Sequence, residues 1–369
     1  METTRRVPPC PDGERPWERA CWLALSRLPG LGLVGAWKRV ADRGSARAAW
    51  AEPPPGAGGS AAAPREAARR LEPLRLLEEA ERGGVRVVTP ADEDYPDGLL
   101  DLHDPPLALY VRGVAPLAEP PTGPKGVAVV GSRQANPYGL AQAESLSREL
   151  ASRGLRVLSG LARGVDGAAH RGSLSGGGPT LAVLGCGLDV EYPREHRRLR
   201  QQIEACGAVV SEYPAGTGPE PWHFPARNRI LAALAGAVVV VQAARRSGAL
   251  ITADLAMELG REVLAIPGPL GWPQSEGCLQ LLAEGAALVR SAQDVLDALG
   301  VFTSPAPAPP PRPEGPPRAV LEALGCEGAP VDAVVERTGL APGQVASLLV
   351  RLEVEGRVRR LPHGVWIPV

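Results

Sequence analysis

Short apolar runs rich in β-branched residues punctuate the middle of the chain, at 127–131 (VAVVG), 155–160 (LRVLSG), 180–185 (TLAVLG), 208–212 (AVVSE), 237–242 (AVVVVQ) and 262–268 (EVLAIPG). Each is followed by ten or more residues with apolar positions at helical spacing. Runs without polar alternation are strands covered on both faces, so the pattern predicts a parallel sheet between helical layers. The fold class is therefore α/β, with an extended Rossmann-like, doubly wound and mainly parallel sheet. Ahead of these runs, 85–89 (VRVVT), a helix from about Asp94 and 107–111 (LALYV) extend the same sheet, and the body spans 64–302.

Two low-complexity stretches bound that body. Residues 51–64 (AEPPPGAGGSAAAP) set off an N-terminal helical unit with its linker, 1–63. In that unit helical spacing at 22–32 and 34–40 flanks Pro29-Gly30-Leu31-Gly32. A helix, a PGLG-like turn and a helix match a SAM-like or helix-hairpin-helix unit, whose turn amides can hold a DNA phosphate. The same pattern also fits an ordinary αα-hairpin cap. Residues 303–316 (TSPAPAPPPRPEGP) hold seven prolines in fourteen positions. Such a polyproline spacer reaches ~40 Å at ~3.1 Å per residue, so 303–317 is a stiff linker. The remainder, 318–369, reads as helices at 319–324, 331–338 and 344–355, then RVRRLPHGVWIPV as a β-wing, the pattern of a winged helix. Six arginines there face six acids, and only Arg351 is basic on the third helix, so the unit is expected to contact protein rather than a DNA groove.

Composition narrows the function. Forty basic against 41 acidic residues give a net charge of −1, so any polyanion site must be local. Lysine occurs only at Lys38 and Lys125; the rest of the basic set is arginine, whose planar fork suits phosphate oxygens and stacks on rings. No apolar run approaches a membrane span, and METTRRVPPCPDGERPWER lacks the apolar core of a signal peptide, so a cytoplasmic protein is expected. The six cysteines form no CxxC pair and read as reduced thiols, not a disulfide framework or zinc site. HExxH, GxSxG and GxxxxGK[ST] are absent, and no metal or cofactor is expected.

In an open α/β sheet, ligands bind beyond the carboxyl ends of the strands. The segments there are GSRQANPYG (131–139), SGLARGVDGAAHRG (159–172), GCGLDVEYP (185–193), EYPAGTGPEPWHFPARNR (212–229) and AARRSGALIT (243–252). Gly131, Ser132, Gly160, Gly164, Ser247 and Gly248 suit turns whose amides face an anion. The first turn departs from GxGxxG, and no acid ends the second strand to hold a ribose, which disfavours a dinucleotide. Arg133, Arg163, Arg171, Arg227, Arg229, Arg245 and Arg246 crowd these segments, with Phe224 beside Pro225. Positive charge with a stacking ring is the combination that tracks a single nucleic-acid strand. The structural alternative has Arg227, Asn228 and Arg229 capping neighbouring strand ends. Asp166 and His170, four residues apart, fit a hydrogen-bonded pair better than a catalytic one, and Cys186 has no assigned base; no catalytic constellation emerges.

At these segments, together with SEGCLQLLAEGA (275–286), the chain resembles the DNA-processing protein A family (DprA, also called Smf), over about 126–289. The resemblance implies single-stranded DNA binding and homodimerisation through the Rossmann-like domain. It also implies loading of the RecA recombinase onto incoming DNA in natural transformation. It puts the Gly-Ser-Arg turn on Gly131, Ser132 and Arg133, and the F-P-x-R-N-R stretch on Phe224, Pro225, Arg227, Asn228 and Arg229. Gly160, Arg163, Arg245, Arg246, Ser247 and Gly248 complete the expected DNA-binding set. Related sequences often carry a lysine three residues before the phenylalanine, where this chain has Pro221. The competing function is a nucleotide-processing, N-glycosidase-like enzyme, with the same glycines on a phosphate and Asp166 or Glu212 as acid–base group.

Overall fold

A computed structural model describes residues 13–52, 71–118, 126–301, 315–325, 328–361 and 364–368. Most of both low-complexity stretches and the first twelve residues lie outside the described set. The nine-stranded sheet uses β1 (Arg86–Val88), β2 (Leu109–Gly113), β3 (Val127–Val130), β4 (Val157–Ser159), β5 (Thr180–Leu184), β6 (Ala208–Ser211), β7 (Ala237–Val240), β8 (Glu262–Ala265) and β9 (Ala287–Leu288). Their order is β1-β2-β6-β5-β4-β3-β7-β8-β9. From β6 to β9 every pairing is parallel, while β2 joins β6 and β1 joins β2 antiparallel at one edge. Each run read as a strand is one; the helix expected from about Asp94 is a short 3-10 turn at Asp97–Asp101, because Pro96 delays its start.

Strands β3 to β7 are buried at every residue, which is why their sequences are apolar throughout. In β3, Val127 and Val129 face a layer that includes α5 (Pro137–Ser152) and α6 (Val165–Ser175), while Ala128 and Val130 face one that includes α8 (His223–Leu234) and α9 (Gly248–Glu258). The start of α5 follows from its sequence: Asn136 Oδ1 accepts the Gly139 amide at 2.9 Å, and Pro137 takes the first helical position.

At the N-terminus α1 (Arg15–Ser26), α2 (Gly32–Arg43) and α3 (Ala46–Ala51) form a cap, followed by α4 (Pro73–Glu81). Gly30 and Gly32 take positive φ in the PGLG turn, which is exposed. Ala20 and Leu23 of α1 pack with Val87, Tyr110 and Ala182 of the sheet. Buried Glu18 accepts the Ala46 and Arg47 amides at 2.6 and 3.0 Å, fixing α3 on α1.

The C-terminal unit holds α12 (Pro316–Leu324), α13 (Val331–Thr338) and α14 (Pro342–Val354) over a three-stranded sheet, Ala329–Pro330, Val358–Arg360 and Val365–Pro368. Helices α7 (Arg197–Cys206), α10 (Glu276–Ala283) and α11 (Ala292–Ala298) complete the numbering. Among the described residues no helix is long and apolar enough to cross a membrane.

Candidate nucleic-acid interface

The chain leaves β3 toward β4 on one side and returns as β7 on the other, so the order reverses between β3 and β7. Helices following the two strands diverge there, and a crevice opens at their carboxyl ends. A cleft of about 460 Å³ occupies that place. Gly131 and Arg133 form one side; Phe224, Arg227 and Asn228 come from α8, and Ser247 and Gly248 from the start of α9. Seven of the thirteen residues expected to touch DNA thus line one cavity.

Arg133 is exposed, and its Cζ lies 4.5 Å from the centre of the Phe224 ring. No carboxylate pairs with it among the described residues. The turn that presents it is fastened at Ser132, whose amide donates to Gln242 O at 2.6 Å and whose carbonyl accepts the Val165 amide at 3.2 Å. Gly131 has no room for a side chain: a Cβ would stand 2.7 Å from Val165 Cγ2 and 2.9 Å from Gln242 O. The backbone around Arg133 is rigid while its guanidinium is free.

Arg227 is the opposite case, only 5% exposed. Its Nη1 donates to Gly160 O at 2.8 Å and to Val183 O, its Nε to Asn228 Oδ1 at 2.9 Å, and its Nη2 lies 3.8 Å from Asp166 Oδ2. It ties the ends of β4 and β5 together. Gly160 is glycine for this reason, since a Cβ there would overlap the guanidinium. Burial pushes the Asp166 carboxyl up from its ordinary value against the pull of Arg227. Arg229 is likewise committed: Nη2 donates to both Glu212 oxygens at 2.6 and 2.8 Å, and Nε lies 3.3 Å from Asp104. Burial also raises the Glu212 carboxyl. Arg163 pairs with Glu195 at the surface, away from the cleft lining. Asn228 Nδ2 donates to Gly248 O at 3.3 Å, joining α8 to α9 across the cleft. Arg245 and Arg246 are exposed beyond the Ser247 wall.

His170 does not pair with Asp166; its Nδ1 lies 2.8 Å from Thr180 Oγ1. Cys186 is buried, and burial raises its thiol, which removes a nucleophile from consideration.

Residues 86–300 match the family model described as DNA recombination-mediator protein A, and 304–364 match the DprA winged helix domain. The chain belongs to the DNA recombination-mediator protein A family. Protein Smf of Escherichia coli is 40% identical over 74% of this chain and 75% of its own length. The X-ray structure of DprA from Streptococcus pneumoniae superposes with a TM-score of 0.65 at 36% identity, covering 75% of this chain and 95% of that one. DprA from Helicobacter pylori, whose structure was determined for its single-stranded DNA binding mode, gives 0.53 at 32%, covering 59% of this chain and 96% of that one.

Beside its family motifs this DprA-family chain carries aromatic groups that reading the motifs alone misses. Tyr192, 39% exposed, lines the cleft with its ring centre 5.5 Å from that of Phe224. His223 stacks on Tyr213 at 4.1 Å and meets the edge of Trp222 at 6.0 Å. Trp222 is 66% exposed, so beside Pro221 the chain presents a large ring. The signal was present, since Tyr192 ends the third strand's loop and Tyr213 opens the fourth's, but their convergence on Phe224 and His223 is a property of the fold.

Proposed function

We propose that this chain binds single-stranded DNA in the cleft between β3 and β7, protects it, and passes it to the RecA recombinase, working in the cytoplasm as a homodimer through the Rossmann-like domain. The observation that carries the reading is the Arg133–Phe224 stack: an unpaired guanidinium on an aromatic face, at the ligand-binding end of the sheet. A strand offers such a site a phosphate for the charge and bases for the rings, with Tyr192 and Trp222 extending the stacking surface. The single-stranded DNA binding studied in Helicobacter pylori DprA, to which this chain is similar, and the family membership favour the same ligand. The two carboxylates that an enzymatic reading needs, Asp166 and Glu212, are each paired with an arginine, buried Arg227 and partly buried Arg229, an arrangement that favours binding over acid–base chemistry.

The test is affinity against salt. Arg133→Ala is expected to weaken single-strand binding and to make the slope of log affinity against log salt shallower by ~0.7, the share of one phosphate. Phe224→Ala is expected to cost ~1–3 kcal/mol with the slope nearly unchanged. Because Arg133 rests on Phe224, the double variant should lose less than the sum of the two. Unaltered affinity in folded Arg133→Ala protein would sink the reading.

The winged helix bears on the same question. Arg351 and Arg357 both pair with Glu355, Arg318 pairs with Glu322, and Arg359 pairs with Glu144 of α5. With four of its six arginines paired in this way, the unit is assigned to protein contact. Removing residues from Thr303 onward should leave single-strand affinity within a few-fold; a loss beyond about tenfold, ~1.4 kcal/mol, would put the domain on DNA.

A further inference from the structure

A smaller pocket, of about 130 Å³, is walled by β2, the loop after β5 and α7. Tyr192 is the one residue it has in common with the cleft between β3 and β7, and none of the residues expected to touch DNA lines it. Most of its charges are already engaged. Arg200 donates Nε to Glu204 Oε1 at 2.8 Å, Nη1 to Val190 O at 3.1 Å and Nη2 to Leu188 O. Arg197 Nε lies 3.0 Å from Glu191 Oε1, and both Asp189 oxygens accept the Gly216 amide, at 2.8 and 2.9 Å. His196 donates from Nδ1 to Leu161 O at 3.0 Å, since a carbonyl can only accept. Arg112 of β2 is the exception. Among the described residues no hydrogen bond or ion pair reaches its half-buried side chain, and its Nε is buried without an acceptor. A guanidinium nitrogen in that position is costly unless water or an ion meets it. The same pocket wall holds Leu161 at a φ of +54°, the one positive φ outside glycine among the described residues, and such strain is kept where a site needs it.

We infer that this pocket binds one small free oxyanion, of the phosphate or sulfate class, on the Arg112 guanidinium. The planar fork presents parallel N–H donors to two oxygens of such an ion, and the ion supplies the countercharge that no carboxylate of the pocket gives. Glu191 and Glu204 are held by Arg197 and Arg200, so they leave Arg112 as the one arginine of the pocket without a partner. Size selects the ligand. A water takes about 30 Å³ and larger organic ligands need about 300 Å³ or more, so the pocket suits an ion of this class and is too small for a nucleotide. A DNA strand carries the same phosphate chemistry, but the strand's arginines and its stacking ring stand in the other cleft. The inference does not depend on what occupies that cleft.

The test compares the melting temperature of the full chain in inorganic phosphate and in chloride at equal ionic strength. With a Kd of about 1 mM, about 10 mM phosphate should raise it by about 2–4 °C, and the rise should saturate. Arg112→Gln should remove the rise. Arg112→Lys should keep part of it, because the charge stays and the fork is lost, and Arg133→Ala should keep all of it. Calorimetric titration of the unaltered chain with phosphate, which needs no variant to fold, should show one saturable site; its absence overturns the inference. A rise that grows without saturation and is equal in Arg112→Gln is the general effect of phosphate on folded proteins and overturns it as well. So does a response kept in Arg112→Gln and lost in Arg133→Ala, which puts the ion in the cleft between β3 and β7. In phosphate-free buffer Arg112→Gln should bind a labelled oligothymidylate within about twofold of the unaltered protein, with the salt slope unchanged. A slope shallower by ~0.7 would make the occupant a phosphate of the strand and overturn the free ion.

Discussion

Arg227→Met should lower the unfolding free energy by about 3–5 kcal/mol, the loss that follows when one partner of a buried ion pair is removed. The guanidinium is the hydrogen-bond donor for Gly160 O and Val183 O and the countercharge for Asp166. Without it two strand-end carbonyls are left unpaired, and Asp166 is buried with no neighbouring arginine on that side. Methionine fills much of the volume but donates nothing. Adding Asp166→Asn should recover part of the loss, because it removes the uncompensated charge and leaves only the unpaired carbonyls. Arg133→Ala, in the same cleft, should stay within about 0.5 kcal/mol of the unaltered protein, as an exposed side chain with no ion pair among the described residues. Denaturant titrations of the three variants check this; equal losses in Arg227→Met and Arg133→Ala would show that the division between a structural and a ligand-facing arginine is mistaken.

Lowering the pH from 7 to 5 should cost about 2 kcal/mol of stability through His170 alone. The ring is fully buried, and burial, with His196 and Arg227 adding repulsion, lowers it from 6.5 to about 3. The hydrogen bonds explain why protonation is resisted. Thr180 Oγ1 donates to Val157 O at 2.7 Å, so it must accept from His170 Nδ1, which therefore carries the proton of the neutral ring. Nε2 is buried without a partner, and a second proton there would have no acceptor. The folded state accordingly binds fewer protons than the unfolded chain between pH 6.5 and about 3, and stability falls as the pH drops through that window. Asparagine at 170 keeps a donor for Thr180 and has nothing to titrate. His170→Asn should therefore remove about 2 kcal/mol of the difference between pH 7 and pH 5 in urea titrations, and an unchanged difference would exclude His170 as its source.

Local sequence was enough for the sheet and for the place of the site. A strand buried on both faces must be apolar at every position, as VAVV and AVVV are, and a ligand-binding turn after it must be small and polar, as GSR and SGA are. Both are requirements on consecutive residues. The winged helix was legible for a similar reason, since its helices and wing keep their periods in a short span.

Which arginines are free could not be read in that way. Arg133, Arg227 and Arg229 are alike in type and loop setting. Yet Arg227 meets carbonyls 67 and 44 residues away in sequence, Arg229 meets a carboxylate 17 away, and Arg133, with no ion pair among the described residues, lies over a ring. The burial of a guanidinium depends on which strand ends converge beneath it, and that is fixed by strand order. The same holds for the Tyr192–Phe224 pair and for the smaller pocket, whose walls come from β2, the loop after β5 and α7. The sequence by itself determined the elements, their layering and the end of the sheet where the candidate cleft opens, because these follow from local periodicity and apolarity. Only the tertiary structure decided which charges and rings face that cleft, because desolvation and pairing are set by neighbours distant along the chain.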